Sequence, residues 1–460
     1  MSDARTGGPT ATIAPPPSAA RRLRDIGRSL AHRNFRLFFA GQSVSLLGTW
    51  MQQTAMTWLV YRLTQEQHGD SALILGITGF AGQIPVLLLG PFAGVYSDRW
   101  HRHRIIIATQ TLSMLQAFLV WILTIAGVIT VWQLVVLSLF LGCVNAFDMP
   151  TRQAFMTEML DTSEDLANAI AINSSMVNGA RLIGPSIAGL VISIVGEATC
   201  FLLNGLSFLG VIAALLAMKI PRRSNEGMPK SVLGGLAEGF RYSFGFPPVR
   251  ALLILVALIG LVGMPYVVLM PIFADQILHG NARTYGLLVG SSGVGALAGS
   301  LYLASRRTVL GLGRWIAAMS GLFGLGLIAF SFSTSRLLSM AFLVVMGFAV
   351  IVQLASCNTI LQTIVEERQR GRVMSLYTTA FLGMSPLGSL VAGSLASAIG
   401  APRTLQIGGV CVLLGGVAFA VQLRALRKHI RPIYTRMGIL PSVASGLQQA
   451  TEQTVPPEET

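Results

Sequence analysis

The segment S-D-R-W-H-R-H-R, Ser97 to Arg104, packs one acid, three arginines and two histidines into eight residues of a chain that is only 11% charged. Such a cluster can do two kinds of chemistry. Its acid can hold the start of a helix, and its arginines can simply mark the side of a membrane on which the loop stays. Polar side chains recur at meaningful spacing elsewhere. Gln42, Ser45, Thr49 and Gln52 fall at steps of three, four and three, which sets all four on one helical face of an otherwise apolar run. A polar stripe facing lipid is costly, so it should face a cavity. Ser174, Asn178 and Arg181 repeat the pattern, and Gln353, Ser356 and Asn358 do so less regularly.

Arg181 is the one charge deep inside an apolar span, where an isolated arginine costs at least roughly 2.5 kcal/mol. Two readings are open: a cavity cation that attracts anionic cargo or tunes a proton site, or a structural arginine bonded to polar groups of a neighbouring helix. Asn145, Asp148 and Arg152 share another face. Asp148 is the best carboxylate for proton coupling, because no acid lies mid-span, and a fixed Asp148 to Arg152 ion pair is the competing reading.

Other chemistry lacks its residues. Cys143, Cys200, Cys357 and Cys411 stand singly in different apolar spans, and no HExxH or comparable ligand pair occurs, so neither metal nor cofactor is expected. Lys219, Lys230 and Lys428 are the only lysines, and none completes a GxxxxGK[ST] phosphate loop. With no nucleophile and base pair either, an enzyme is the weakest expectation.

The elements that must position these side chains follow from composition. The chain has 460 residues, is 53% apolar and has a mean hydropathy of +0.65, above the range of soluble domains. Twelve windows can cross about 30 Å of hydrocarbon. They run over 35–62, 72–96, 105–127, 131–149, 166–195, 198–218, 249–273, 284–304, 314–333, 337–361, 373–399 and 403–423. The first 30 residues have no apolar core long enough for a signal peptide, so the first helix is expected to stay. Of the 33 Lys and Arg, Arg62, Arg283, Arg336 and Arg403 fall on one side, Arg181 lies within a span, and the remaining 28 fall on the other. That asymmetry is the positive-inside rule; it accounts for the net charge of +14 without nucleic acid and makes both termini cytoplasmic.

The chain also repeats itself. Residues 166–196 laid over 370–400 without gaps bring Gly184, Ala188, Gly189 and Gly196 onto Gly388, Ala392, Gly393 and Gly400. The reading is an all-α membrane protein of two pseudo-symmetric six-helix bundles, 31–218 and 249–425, with a polar cavity between them. A charged linker, 219–248, joins the bundles. Within it Leu233, Leu236, Ala237, Phe240 and Phe244 share a face, with Ser231 as a cap, which predicts an amphipathic surface helix. Residues 1–30 are expected to be a disordered cytoplasmic terminus and 426–460 a cytoplasmic tail.

Two motifs carry a resemblance. G-V-Y-S-D-R-W-H-R-H-R is similar to the loop between helices 2 and 3 of the major facilitator superfamily: Gly94, Asp98, Arg99, Arg102 and Arg104 fit its pattern, with His101 at a usual glycine and His103 at a usual base. G-P-S-I-A-G resembles the antiporter motif of drug exporters through Gly184, Pro185 and Gly189, with Ala180 and Ala188 at two usual glycine positions. HRNFRLFFAGQSVSLLGTWMQQTAMTWLVYRLT, NAFDMPTRQAF and RGRVMSLYTTAFLGMSPLGSL are similar to the secretion-effector branch, which contains the enterobactin exporter. The resemblance implies a conformational latch in which Asp98 meets the start of the eleventh span near Arg372 and Val373, where the helix dipole favours an anion by about 0.3 to 1 kcal/mol. Gly90 and Gly94 are expected to let that span pack closely.

The resulting expectation is a monomeric exporter of the bacterial inner membrane. It would move a siderophore, secondary metabolite or drug outward by proton antiport through alternating access. An importer or uniporter on the same fold is the alternative, and a non-transporting scaffold or sensor the next.

Overall fold

The computed structural model describes residues 27–220, 232–306 and 308–437. The helices are α1 (Arg33–Glu66), α2 (Ser71–Arg99), α3 (Arg102–Ile125), α4 (Val131–Phe155), α5 (Leu166–Val195), α6 (Glu197–Leu216), α7 (Val232–Gly245), α8 (Pro247–Ile277), α9 (Ala282–Ser305), α10 (Leu312–Phe332), α11 (Arg336–Ile364), α12 (Glu367–Ile399) and α13 (Ala401–Arg436). Among the described residues eleven helices are long and apolar enough to cross a membrane. The twelfth crossing is α1, whose 34 residues span about 50 Å. Gln42, Ser43, Ser45, Thr49, Gln52, Gln53 and Thr54 lower its hydropathy; Gln52 bonds to Gln116 and Asn204 on neighbouring helices, while Ser43, Thr49 and Thr54 bond back to carbonyls of their own helix.

Local chemistry sets the helix ends. Asp70 caps α2 by accepting from Leu73 N, Asn281 caps α9, and Thr130 with Gln133 forms a capping box at α4. The turns into α6 and α13 pass through Gly196 and Gly400 at φ of +84° and +89°, which a side chain would strain. These two glycines are equivalents in the internal repeat. Several helices outrun their predicted windows: α13 continues through Pro432 to Arg436, so much of the expected tail is helix, and α4 continues through Pro150 to Phe155. Single π turns at Ile259–Gly263, Phe273–Ile277 and Thr379–Gly383 interrupt α8 and α12.

Packing repeats as the sequence does. In the first half α2 lies on α4, α3 on α6 and on α4; in the second α9 lies on α11, α10 on α13 and on α11. The halves meet along two seams, α5 against α9 and α2 against α12. A Cβ on Gly189 would lie 2.6 Å from the Ala282 carbonyl, and one on its equivalent Gly393 would lie 2.7 Å from the Ala72 carbonyl. In an apolar solvent such contacts come from small residues that let backbones approach.

Among the described residues the seams are closed at one end only. Arg62, Arg283, Arg336 and Arg403 mark an arginine-poor end, where the buried core runs continuously across both halves through Ile192, Tyr285 and Ala392. At the arginine-rich end the first half keeps a separate core around Phe35, Phe38, Phe155 and Leu215. The stripe of α2 that faces α12 tells the same story. Gly76 sits on Gly393, Gly79 on Ser389 and Leu87 on Gly383, whereas a Cβ on Gly90 would meet nothing within 4 Å. The close packing expected at Gly90 is therefore absent in this state, because the halves splay before they reach it.

Candidate functional site

A narrow cavity of about 60 Å³ lies where α1, α5, α8, α9 and α11 converge. Its polar groups are Arg181, Tyr266 and Ser292, and most of the remaining lining is apolar, including Trp50, Met264 and Met270. The Arg181 guanidinium lies 5.7 Å from the centroid of the Trp50 ring, a cation–π arrangement. No described carboxylate pairs with it. The Tyr266 and Ser292 hydroxyls are 2.8 Å apart. Gly184 positions the aromatic platform: a Cβ there would lie 2.6 Å from Trp50 Cβ, so only glycine lets α1 bring that ring against α5. Ala180, Pro185, Ala188 and Gly189 are buried along the same helix, and a Cβ on Gly286 of α9 would lie against the Pro185 carbonyl. The antiporter-like stretch thus does two jobs in packing, seating Trp50 and closing the α5 to α9 seam.

The polar stripes do not line this cavity as expected. Gln42, Ser45 and Gln52 are buried, and Gln52 lies inside the first half. Its amide nitrogen donates to Gln116 Oε1 at 2.7 Å while its oxygen accepts from Asn204 Nδ2 at 2.7 Å, a tie between α1, α3 and α6. Thr49 is exposed and donates back to the Ser45 carbonyl. Gln353 and Ser356 are fully buried and absent from the lining, as are exposed Ser174 and half-buried Asn178. Helical periodicity identifies a face but not its neighbour, and a bundle interior can satisfy polar groups as well as a cavity can. Only Arg181 of the expected cavity set lines the cavity. Trp50, Tyr266 and Ser292 were missed because nothing in an isolated aromatic or hydroxyl marks the centre of a bundle.

Near the arginine-rich end Asp148 is buried, accepts from Thr109 Oγ1 at 2.8 Å and Gln110 Nε2 at 2.9 Å, and forms an ion pair with Arg152 one turn later. The fixed-pair reading describes this geometry. Arg102 pairs with Glu158 at 3.0 Å within the first half, and Arg104 is exposed. His103, at a usual basic position, stacks on Phe155 and contacts the Leu215 carbonyl at 2.8 Å, so it ties α3 to the end of α6. On the opposing half, Arg372 pairs with Glu238 of α7, which also accepts from Gln369 at 3.0 Å. The side chains of Asp98 and Arg99 and the surroundings of Gly94 lie outside the described residues, as do Ser231, Leu233, Leu236 and Ala237 of the amphipathic face. Its remaining aromatics, Phe240 and Phe244, are exposed and stacked with centroids 4.2 Å apart.

Two six-helix halves around a central cavity, sealed at one end, are the architecture of a major facilitator transporter. The chain belongs to the transmembrane secretion effector family of that superfamily, whose profile matches residues 28–434. It is 26% identical over 400 residues to the Staphyloferrin A transporter of Staphylococcus aureus, which covers 85% of this chain and 97% of that one. It is 27% identical over 399 residues to the multidrug efflux pump Tap of Mycolicibacterium fortuitum, covering 82% and 93%. In fold it is similar to a bacterial homologue of the human lysosomal transporter Spinster, solved in an inward-facing and unoccupied conformation. The TM-score is 0.67 at 15% identity, over 86% of this chain and 98% of that one. The protein is a multi-pass membrane exporter and not an enzyme.

Proposed function

We propose that the protein exports a small amphipathic molecule with an anionic group, a siderophore, secondary metabolite or drug, from the bacterial cytoplasm by proton antiport. The halves, 31–218 and 249–425, rock about the central cavity, and the protein works as a monomer in the cytoplasmic membrane. The basic asymmetry supports a cytoplasmic arginine-rich end carrying both termini, which makes the present state inward-open. Asp98, Arg99, Arg102 and Arg104 act as the latch of the opposite state, with Asp148 and Arg152 stiffening the helix beside them. One observation carries the choice of cargo: Arg181 lines the cavity on an aromatic platform without a carboxylate partner among the described residues. A half-buried guanidinium offers planar, multi-donor recognition of an anion, and the Trp50 ring offers a surface for an apolar body. The names of the relatives, a staphyloferrin A transporter and a multidrug efflux pump, agree with such a cargo.

The test is Arg181→Met, with cargo affinity and melting temperature measured on the same preparation. Recognition of anionic candidates should fall by tenfold or more while the melting temperature holds or rises, because an expensive buried charge has gone. Arg181→Lys should recover part of the affinity. A large loss of stability with unchanged affinity in the folded fraction would refute the cavity role. Flux in inverted vesicles that ran in the importing direction, or ignored the proton gradient, would refute export by antiport.

A further inference from the structure

The seam at the arginine-poor end is held by two carboxylates that each accept a hydroxyl from the opposite half. Tyr61 on α1 donates to Asp275 Oδ2 on α8 at 2.7 Å, and Ser397 on α12 donates to Asp70 at the start of α2. The two acids are not equivalent. Asp70 is exposed, and its other oxygen caps α2 by accepting from Leu73 N, a bond within its own half that does not depend on the seam. Asp275 caps nothing: it lies on the Phe273–Ile277 π turn, half-buried beside a Tyr61 ring that is 2% exposed. Gln65 donates to the Tyr61 hydroxyl at 3.3 Å, which leaves that hydroxyl's proton directed at Asp275.

The surrounding charges are otherwise engaged. On α1, Arg62 faces Glu197 of α6 and Glu66, each at 2.8 Å. On α11, Arg336 donates to the Leu278 and His279 carbonyls. On α9, Arg283 is exposed and the Tyr285 ring stacks on Trp58. No described cation forms an ion pair with Asp275. Its charge in the closed seam is therefore answered chiefly by the Tyr61 hydroxyl.

We propose that Asp275 is a proton-binding site reached from the extracellular side, and that its protonation releases Tyr61 and opens the outer seam. An O–H donor to a carboxylate is roughly twice as strong as one to a neutral acid. When a proton from outside binds the Asp275 carboxylate, the contact drops to a neutral bond, the halves lose one of their ties and the outward-open state gains. Outward release of cargo and uptake of an external proton then belong to the same state. The inference rests on the topology proposed above: the site gates the outer seam, returns its proton to the outside as the seam closes, and is therefore distinct from the group that carries a proton across in antiport.

The full chain in lipid nanodiscs, with its four cysteines replaced by alanine, would carry spin labels at Gln67 and Thr334, exposed on opposite halves of this end. Distances recorded from pH 8 to pH 4.5 should show the open population growing with acid, by at most about tenfold per pH unit for one proton. Asp275→Asn should abolish that response. Tyr61→Phe, which removes only the donor, should raise the open population at pH 8 and flatten the response. Asp70→Asn should keep it. A wild-type seam indifferent to pH, a response surviving Asp275→Asn, or a response lost in Asp70→Asn instead would overturn the proposal. Proton-driven flux measured separately keeps the two readings apart: a pH-responsive seam without driven flux refutes antiport alone, and driven flux through a pH-indifferent seam refutes the Asp275 site alone.

Discussion

At the arginine-rich end one imidazole joins three chain segments. His32, just before α1, contacts Asp161 at 2.8 Å and Asp165 at 2.7 Å, and Asp165 also pairs with Arg28 of the N-terminal turn. The hydrogen bond to Asp165, then that to Asp161, raises His32 above its ordinary 6.5, and the hydrogen bond from His32 holds Asp165 below its ordinary 3.8. A raised histidine stabilises the fold fully below pH 6.5 and loses that contribution as pH rises through its folded value; Asp165 loses its own only in strong acid. The melting-temperature gap between wild type and His32→Ala should therefore be largest near pH 5 to 6 and shrink toward pH 9. A gap that widened with pH would show that the neutral ring does the holding. Sequence could single out Arg181, since a charge inside an apolar run must be answered somewhere. It could not show His32, whose partners lie about 130 residues away. Asp275 escaped for another reason: the predicted span stopped at 273, while a π turn carries the helix on to Ile277.

Among the elements, α1 shows how far periodicity reaches. The stripe of Gln42, Ser45 and Gln52 is real, and it faces protein rather than lipid, but for Gln52 the protein it faces is α3 and α6 instead of the cavity. The sequence contained the answering polar residues, Gln116 and Asn204, yet pairing them required the three-dimensional order of helices. The repeat was more informative. The equivalence of α5 and α12 returns as equivalent contacts, Gly184 on Leu47 and Trp50 of α1 and Gly388 on Leu261 and Pro265 of α8. That outcome is legible because glycine spacing encodes which face must be approached closely, whereas a glutamine encodes only that something polar is near. Replacing Gln52 by leucine would strand two buried amides and should lower stability in detergent by about 1 to 3 kcal/mol. Thr49→Val, which removes only a bond to its own helix, should stay within about 0.5 kcal/mol. Unfolding by a denaturing detergent would measure both. A Gln52→Leu protein of normal stability with damaged cargo affinity would return that residue to the cavity.

For the molecule as a whole, the all-helical membrane fold and the family were legible because they rest on quantities that survive without coordinates: apolar runs long enough to cross and motif spacing. The conformational state was not, since one sequence serves both states and the glycines of both seams look alike. On α2, Gly76, Gly79 and Gly90 fall on one stripe by their spacing, and only the structure divides it into a part in use, Gly76 and Gly79 against α12, and a part in reserve at Gly90. That division makes a two-sided prediction. A Cβ on Gly76 would lie 2.7 Å from the Ser389 carbonyl and 2.8 Å from Gly393 Cα, backbone that cannot step aside, so Gly76→Leu should prevent the outer seam from closing. Its unfolding stability in the present state should fall by about 1 to 3 kcal/mol. Gly90→Leu meets nothing in this state and should leave that stability unchanged, but it places a bulky side chain where α2 and α12 must meet when the cytoplasmic side closes. It should abolish export while cargo still binds from the cytoplasm. Labels across the outer ends would then report opposite traps, the Gly76 variant held open and the Gly90 variant held closed whatever cargo is added. Normal export by Gly90→Leu would mean that α2 and α12 never close on each other at that level, and rocking about the central cavity would have to give way to a different motion.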